Sequence, residues 1–166
     1  MKGFSGGFSA GNFGYLVPDR NGNSAYFGII VRFALNDFTA DGVTTLDLAA
    51  VDSSLKGFSG GFANGGFGYL VPADYGAYHG RIVRFSFGDF TSAGVTVLDL
   101  ASVDGDLVGF AGGFTAGEHG YLMPKNNGAA FGKVVRFLTS DFTAGGVTAL
   151  DLTTVNPVLK GFSTGF

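Results

Sequence analysis

The chain has 166 residues, of which 46% are hydrophobic while Asp, Glu, Lys and Arg together supply only 14%, against about 25% in an average globular protein. Simple disorder is therefore excluded. Cys and Trp are absent, which removes disulfides, thiol nucleophiles and cysteine-ligated metals, and a formal charge of -3 gives no general attraction for nucleic acid or an anionic membrane surface, so neither is expected as a partner.

From the N-terminus, MKGFSGGFSAGNFGYLV carries one Lys and is broken by glycine throughout, so no secretory signal is legible and localisation stays open. Phe, Tyr, Val, Ile and Thr then fill four short runs. Strands are predicted from Gly6 to Ala10, Phe13 to Pro18, Ile29 to Leu35 and Val43 to Leu48, with Gly11-Asn12, Asn21-Gly22-Asn23 and Asp41-Gly42 supplying the turns between them. No segment has helical periodicity. The third strand is almost continuously apolar, Ile29-Ile30-Val31 and then Phe33, which predicts a sheet covered on both faces.

The same pattern then returns. GFSGGF at 3–8 reappears as GFSGGF at 57–62, GFAGGF at 109–114 and GFSTGF at 161–166, at spacings of 54, 52 and 52 residues. FGYLVP, IVRF, DFT and TLDL recur in step, so the single domain 1–166 divides into repeats at 3–55, 57–107 and 109–159 and a partial fourth at 160–166. The two extra residues of the first copy fall in the loop after Pro18, outside the periodic segments.

Four strands in about 50 residues is the length of one propeller blade. The order G-G-F-x-x-G-x-x-G-Y-L-V-P, then V-R-F, D-F-T and L-D-L resembles kelch-type and related propeller blades. The resemblance covers the whole chain and implies an all-β propeller; it implies no activity, since kelch-like propellers range from adaptors to oxidases. Propellers close with about four to eight blades, so three per chain predicts a homodimer of six. The alternative is a β-trefoil, which also has three four-stranded repeats and closes as a monomer.

Arg32, Arg84 and Arg136 recur in the third strand, with Asp37, Asp89 and Asp141 and then Asp47, Asp99 and Asp151 nearby. Charges in so apolar a chain need partners, and the expectation is a structural ion pair or an Asp-to-backbone turn bond in every repeat. His79 and His119 stand at unlike positions, without ligand spacing, and are expected to be partly exposed. Asp104-Gly105-Asp106 is only a fragment of a calcium loop, and the glycine pairs precede strands rather than a phosphate-binding helix. No catalytic set, metal or cofactor is expected. The loop after the second strand differs between copies, DRNGNSAYF, ADYGAYH and KNNGAAF. Its topology puts Asp19, Arg20, Tyr26, Tyr75, Tyr78, His79, Lys125 and Asn126 on one rim with Asp52, Ser53, Asp104 and Asp106. Such tyrosines and amides suit a glycan or peptide. The expected function is a non-enzymatic, self-assembling scaffold whose partner is itself; the alternative is a lectin-like binder using the rim against a glycan or protein.

Overall fold

The computed structural model describes residues 2–21 and 25–163. Among these, twelve strands form three four-stranded antiparallel sheets, each taken in chain order. The first holds β1 (Lys2–Ala10), β2 (Phe13–Asn21), β3 (Ile29–Ala34) and β4 (Val43–Asp47). The second holds β5 (Phe58–Asn64), β6 (Phe67–Pro72), β7 (Arg81–Ser86) and β8 (Val95–Asp99). The third holds β9 (Phe110–Ala116), β10 (His119–Pro124), β11 (Lys133–Leu138) and β12 (Val147–Asp151). The outer strand pairs fall close to where alternation and turn residues predict them, whereas β1 and β2 run further than expected, β1 starting at Lys2 and β2 ending at Asn21.

Glycine sets two features of every sheet. In β2, β6 and β10, Gly14, Gly68 and Gly120 lie directly across from Phe33, Phe85 and Phe137, and each ring covers its glycine so closely that a β-carbon would overlap it. In the first strand the register shifts between Phe4 and Gly7, and again between Phe58 and Gly61. Gly6, Gly60 and Gly112 take φ of +87°, +102° and +142° there, a region that residues with a β-carbon rarely enter.

Because side chains alternate across a strand, every sheet has two distinct apolar faces. One face of the first sheet carries Tyr15, Val17, Ile30 and Leu46; it packs on Leu70, Val83 and Phe85 of the second sheet. The opposite face of the second sheet repeats the set as Tyr69, Val71, Ile82 and Leu98, packing on Leu122, Val135 and Phe137 of the third. The sheets are thus stacked, with β1 beside β5 and β5 beside β9. Across these first strands the Ser59 hydroxyl donates to the Phe110 carbonyl at 2.6 Å.

The connections between sheets are built on short 3-10 turns that periodicity did not predict. Asp47, Asp99 and Asp151 end β4, β8 and β12, and their carboxylates accept from the backbone N–H of Ala49, Ala101 and Thr153 at 2.9, 3.0 and 2.9 Å. This is N-capping by Asp. The capped turns bury Leu48 and Leu100, and the chain then buries Leu55 and Leu107 before entering the next sheet.

Candidate functional site

The recurrent arginines meet aromatic rings. Arg32 lies between Phe13 of its own sheet and Phe90 of the next, with its guanidinium carbon 4.7 and 4.3 Å from the ring centroids. Arg84 repeats this between Phe67 and Phe142 at 4.8 and 4.6 Å. A planar guanidinium is suited to such stacking. Each also donates through Nε to a threonine, Thr44 or Thr96, at 3.0 Å, and bonds the hydroxyl of Tyr15 or Tyr69, whose pKa burial raises and the arginine lowers in part. Of the two arrangements expected for the recurrent Arg and Asp residues, the Arg–Asp ion pair is not seen among the described residues, and the Asp-to-backbone turn bond is, at Asp47, Asp99 and Asp151. Among the described residues the ion pairs are Arg81 with Asp52 at 3.3 Å, and Lys133 with Asp104 and Asp106 at 2.7 and 3.1 Å. Asp47, Asp99 and Asp151 cap turns instead, while Asp37, Asp89 and Asp141 accept from the hydroxyls of Thr39, Thr91 and Thr143.

These ion pairs tie each connection to the sheet it enters, and sequence reading missed them. The signal was there at constant offset: an acid in the connection, Asp52 or Asp104, and a cation 29 positions later, Arg81 or Lys133. The third connection has Asn156 and Val158 where the second has Asp104 and Asp106, and the first repeat has Ile29 in the place of Arg81 and Lys133.

No other described residue covers the two outermost sheet faces. On the first sheet, Leu16, Val31, Phe33, Phe38 and Val43 line a shallow apolar depression of about 500 Å3. Their counterparts Leu70, Val83 and Phe85 are fully buried, whereas Phe38 is 83% exposed. On the third sheet, Tyr121, Val134, Arg136 and Leu150 line a second depression. Leu150 is 60% exposed, against 4% for each of Leu46 and Leu98. Arg136 keeps its bond to Thr148, with His119 standing where the other repeats have Phe13 and Phe67.

At the loop rim, Asp19, Arg20, Tyr78, Lys125 and Asn126 do converge, and with Ser5, Ser59 and Asp74 they surround a cavity of about 240 Å3. Burial raises the Asp19 pKa, Arg20 and Lys125 lower it, and Asp74 adds to the rise. Tyr26 does not line the cavity but touches residues that do: Arg20 stacks on its ring at 4.7 Å, and its hydroxyl bonds Asp74.

Tyr75 and His79 belong elsewhere. Tyr75 accepts from Arg81 Nη2 at 3.2 Å, and Arg81 also bonds the hydroxyl of Ser54. His79, expected to be partly exposed, is 5% exposed. It replaces Phe27 and Phe131, and like them it meets a phenylalanine edge-on, Phe58 at 5.5 Å. Nε2 lies 3.2 Å from the Gly57 carbonyl, and Nδ1 lies 3.4 Å from the Arg81 N–H. That pair of contacts fits the neutral ring, whose pKa burial pushes down to about 4. Among the described residues no group of three His, Cys, Asp or Glu could hold a metal ion, and the Asp104 and Asp106 carboxylates clasp Lys133. No protein-family model and no curated protein matches the chain.

Proposed function

We propose that the protein is a non-enzymatic, self-assembling scaffold: half of a kelch-like, six-bladed β-propeller completed by a second copy of the same chain. The observation that carries this reading is the pair of half-made contacts at the two ends. Phe38 is the exposed equivalent of Phe90 and Phe142, and Arg136 is the equivalent of Arg32 and Arg84, so a second copy seated as the internal sheets are seated would bring the partner's Phe38 over Arg136. The same seating buries Leu150 and Val134 against the partner's Leu16, Val31 and Phe33, a type of junction the chain already makes twice.

The charges support it as well. At the internal junctions acids on the connection meet a cation on the next sheet, but at the ends both members are changed together. Val158, 73% exposed, would face the partner's Ile29, and Asn156 would stand where the other connections have Asp52 and Asp104. Neither copy would bury an unpaired charge, which would cost several kcal/mol. Three blades fall short of the four to eight that close a propeller, and a two-fold pair supplies six through two equivalent junctions.

Sedimentation equilibrium or light scattering tests the reading. A species of twice the 17.1 kDa chain mass, dissociating only as it unfolds, is expected. A stable, compact monomer would overturn the ring and return the β-trefoil to favour.

A further inference from the structure

The rim cavity lies within one chain and does not depend on the assembly. Three sheets contribute to it at equivalent positions with unlike residues. The position after the recurrent proline, Pro18, Pro72 or Pro124, is Asp19, Ala73 and Lys125, and the next is Arg20, Asp74 and Asn126. Between them the three copies of this wall carry two carboxylates, two cations and an amide around one cavity. The formal charges cancel, so a ligand of net charge gains no overall attraction, whereas one with alternating donors and acceptors can meet every wall.

Two of the groups are unspent. Among the described residues no hydrogen bond or ion pair engages the Asp19 carboxylate or the Lys125 ammonium. By contrast, Asp74 is held by the Gly76 N–H and by Tyr26, and the Asn126 carbonyl oxygen by the Gly128 N–H, which leaves its amide NH2 as a donor. Tyr78, on the same wall, presents an exposed ring with the apolar face that the C–H side of a sugar ring stacks on. A carboxylate acceptor, a cationic donor, an amide and an aromatic ring around a small polar cavity match a neutral polyol, whose hydroxyls both donate and accept.

We infer that the rim cavity binds a neutral monosaccharide, with Asp19 accepting from and Lys125 donating to adjacent hydroxyls and Tyr78 beneath the ring. The binding unit is one site per chain, formed where three sheets meet.

Saturation-transfer NMR and calorimetry with glucose, galactose, mannose and N-acetylglucosamine, and with glycine and betaine as zwitterionic controls, test the assignment. Saturable binding of at least one sugar is expected, weakened about tenfold by Asp19→Asn and by Lys125→Met, each removing a charge-assisted hydrogen bond. Asp37→Asn, on the opposite rim, should leave it unchanged, and the variants should melt with the parent. Binding of none of the sugars, binding of the zwitterions alone, or sugar binding indifferent to both substitutions would overturn it. The mass of the same sample is read separately, so a failed ring and a failed sugar site are told apart.

Discussion

His79 is the residue at which this protein's stability should depend most visibly on pH. The folded protein holds the imidazole neutral with a pKa near 4, while in the unfolded chain it returns to its ordinary 6.5. Between those values the unfolded chain binds the extra proton, so stability is full above 6.5 and is lost as pH falls toward 4. The difference corresponds to about 3 kcal/mol. Asp52, Asp104 and Asp151 have pKa values lowered from an ordinary 3.8, so their contributions fade below that value and do not overlap the histidine's. His79→Phe copies what Phe27 and Phe131 do and leaves the Gly57 carbonyl with the N–H groups of Ala73 and Asp74. Urea unfolding of the variant should show a flat response from pH 6.5 to 4 where the parent falls steeply; equal slopes would mean that the ring is protonated in the folded state. Arg84→Met tests the arginine sandwiches. It removes two ring contacts and the hydrogen bonds to Thr96, Tyr69 and the Thr139 carbonyl without stranding a carboxylate, so the loss should be about 1–2 kcal/mol. A loss several times larger in thermal unfolding would point back to an ion pair.

At the scale of elements, the strands follow from alternation and the sheets from the repeat, but the connections carry the information specific to each junction. Lys160–Ser163 illustrates it. Gly161 has φ of +72°, against +74° for Gly57 and Gly109, and its N–H donates to the Phe131 carbonyl at 3.1 Å just as the Gly109 N–H donates to the His79 carbonyl at 3.2 Å. The segment is therefore seated as the opening of another sheet. Its sequence, Lys-Gly-Phe-Ser, is also that of residues 2–5, so in the proposed ring it holds the seat that the partner's Gly3 and Phe4 would take. Deleting 160–166 should free the seat and strengthen dimerisation in sedimentation velocity. A weaker dimer after the deletion would mean that the segment is itself part of the junction. Residues 22–24 of the longer first loop lie outside the described residues, and with them Gly22 and Asn23 of the expected Asn21-Gly22-Asn23 turn.

For the molecule as a whole, the strongest test is made on the contact between copies. Phe38 projects into solvent from the first sheet and Arg136 is exposed on the third, so Phe38→Ala and Arg136→Ala remove little from within a single chain and should weaken the dimer, with dissociation still coinciding with unfolding. A double-mutant cycle on the dissociation constant should give a coupling of about 1 kcal/mol, the size of a stacked cation–π contact. Additive effects would mean that the two residues do not meet.

The sequence by itself determined the three repeats and the four strands in each, because period-two alternation and turn residues are local signals that three copies make redundant; the two-sided cover expected for the third strand is met within the chain only by β7 of the middle sheet. It also named most of the cavity's charged residues, since unlike residues on a repeated template stand out without coordinates. Tertiary structure decided what the charges do. Arg32 and Arg84 stack on Phe90 and Phe142 from the following sheet, 58 positions away in sequence, and a contact between faces leaves no trace in the alternation of either strand. His79 likewise reads as an ordinary loop histidine until the Gly57 carbonyl, Phe58 and Tyr75 are brought against its ring. Which side chain covers which depends on how two sheets are seated, and that is fixed by the packing of whole faces.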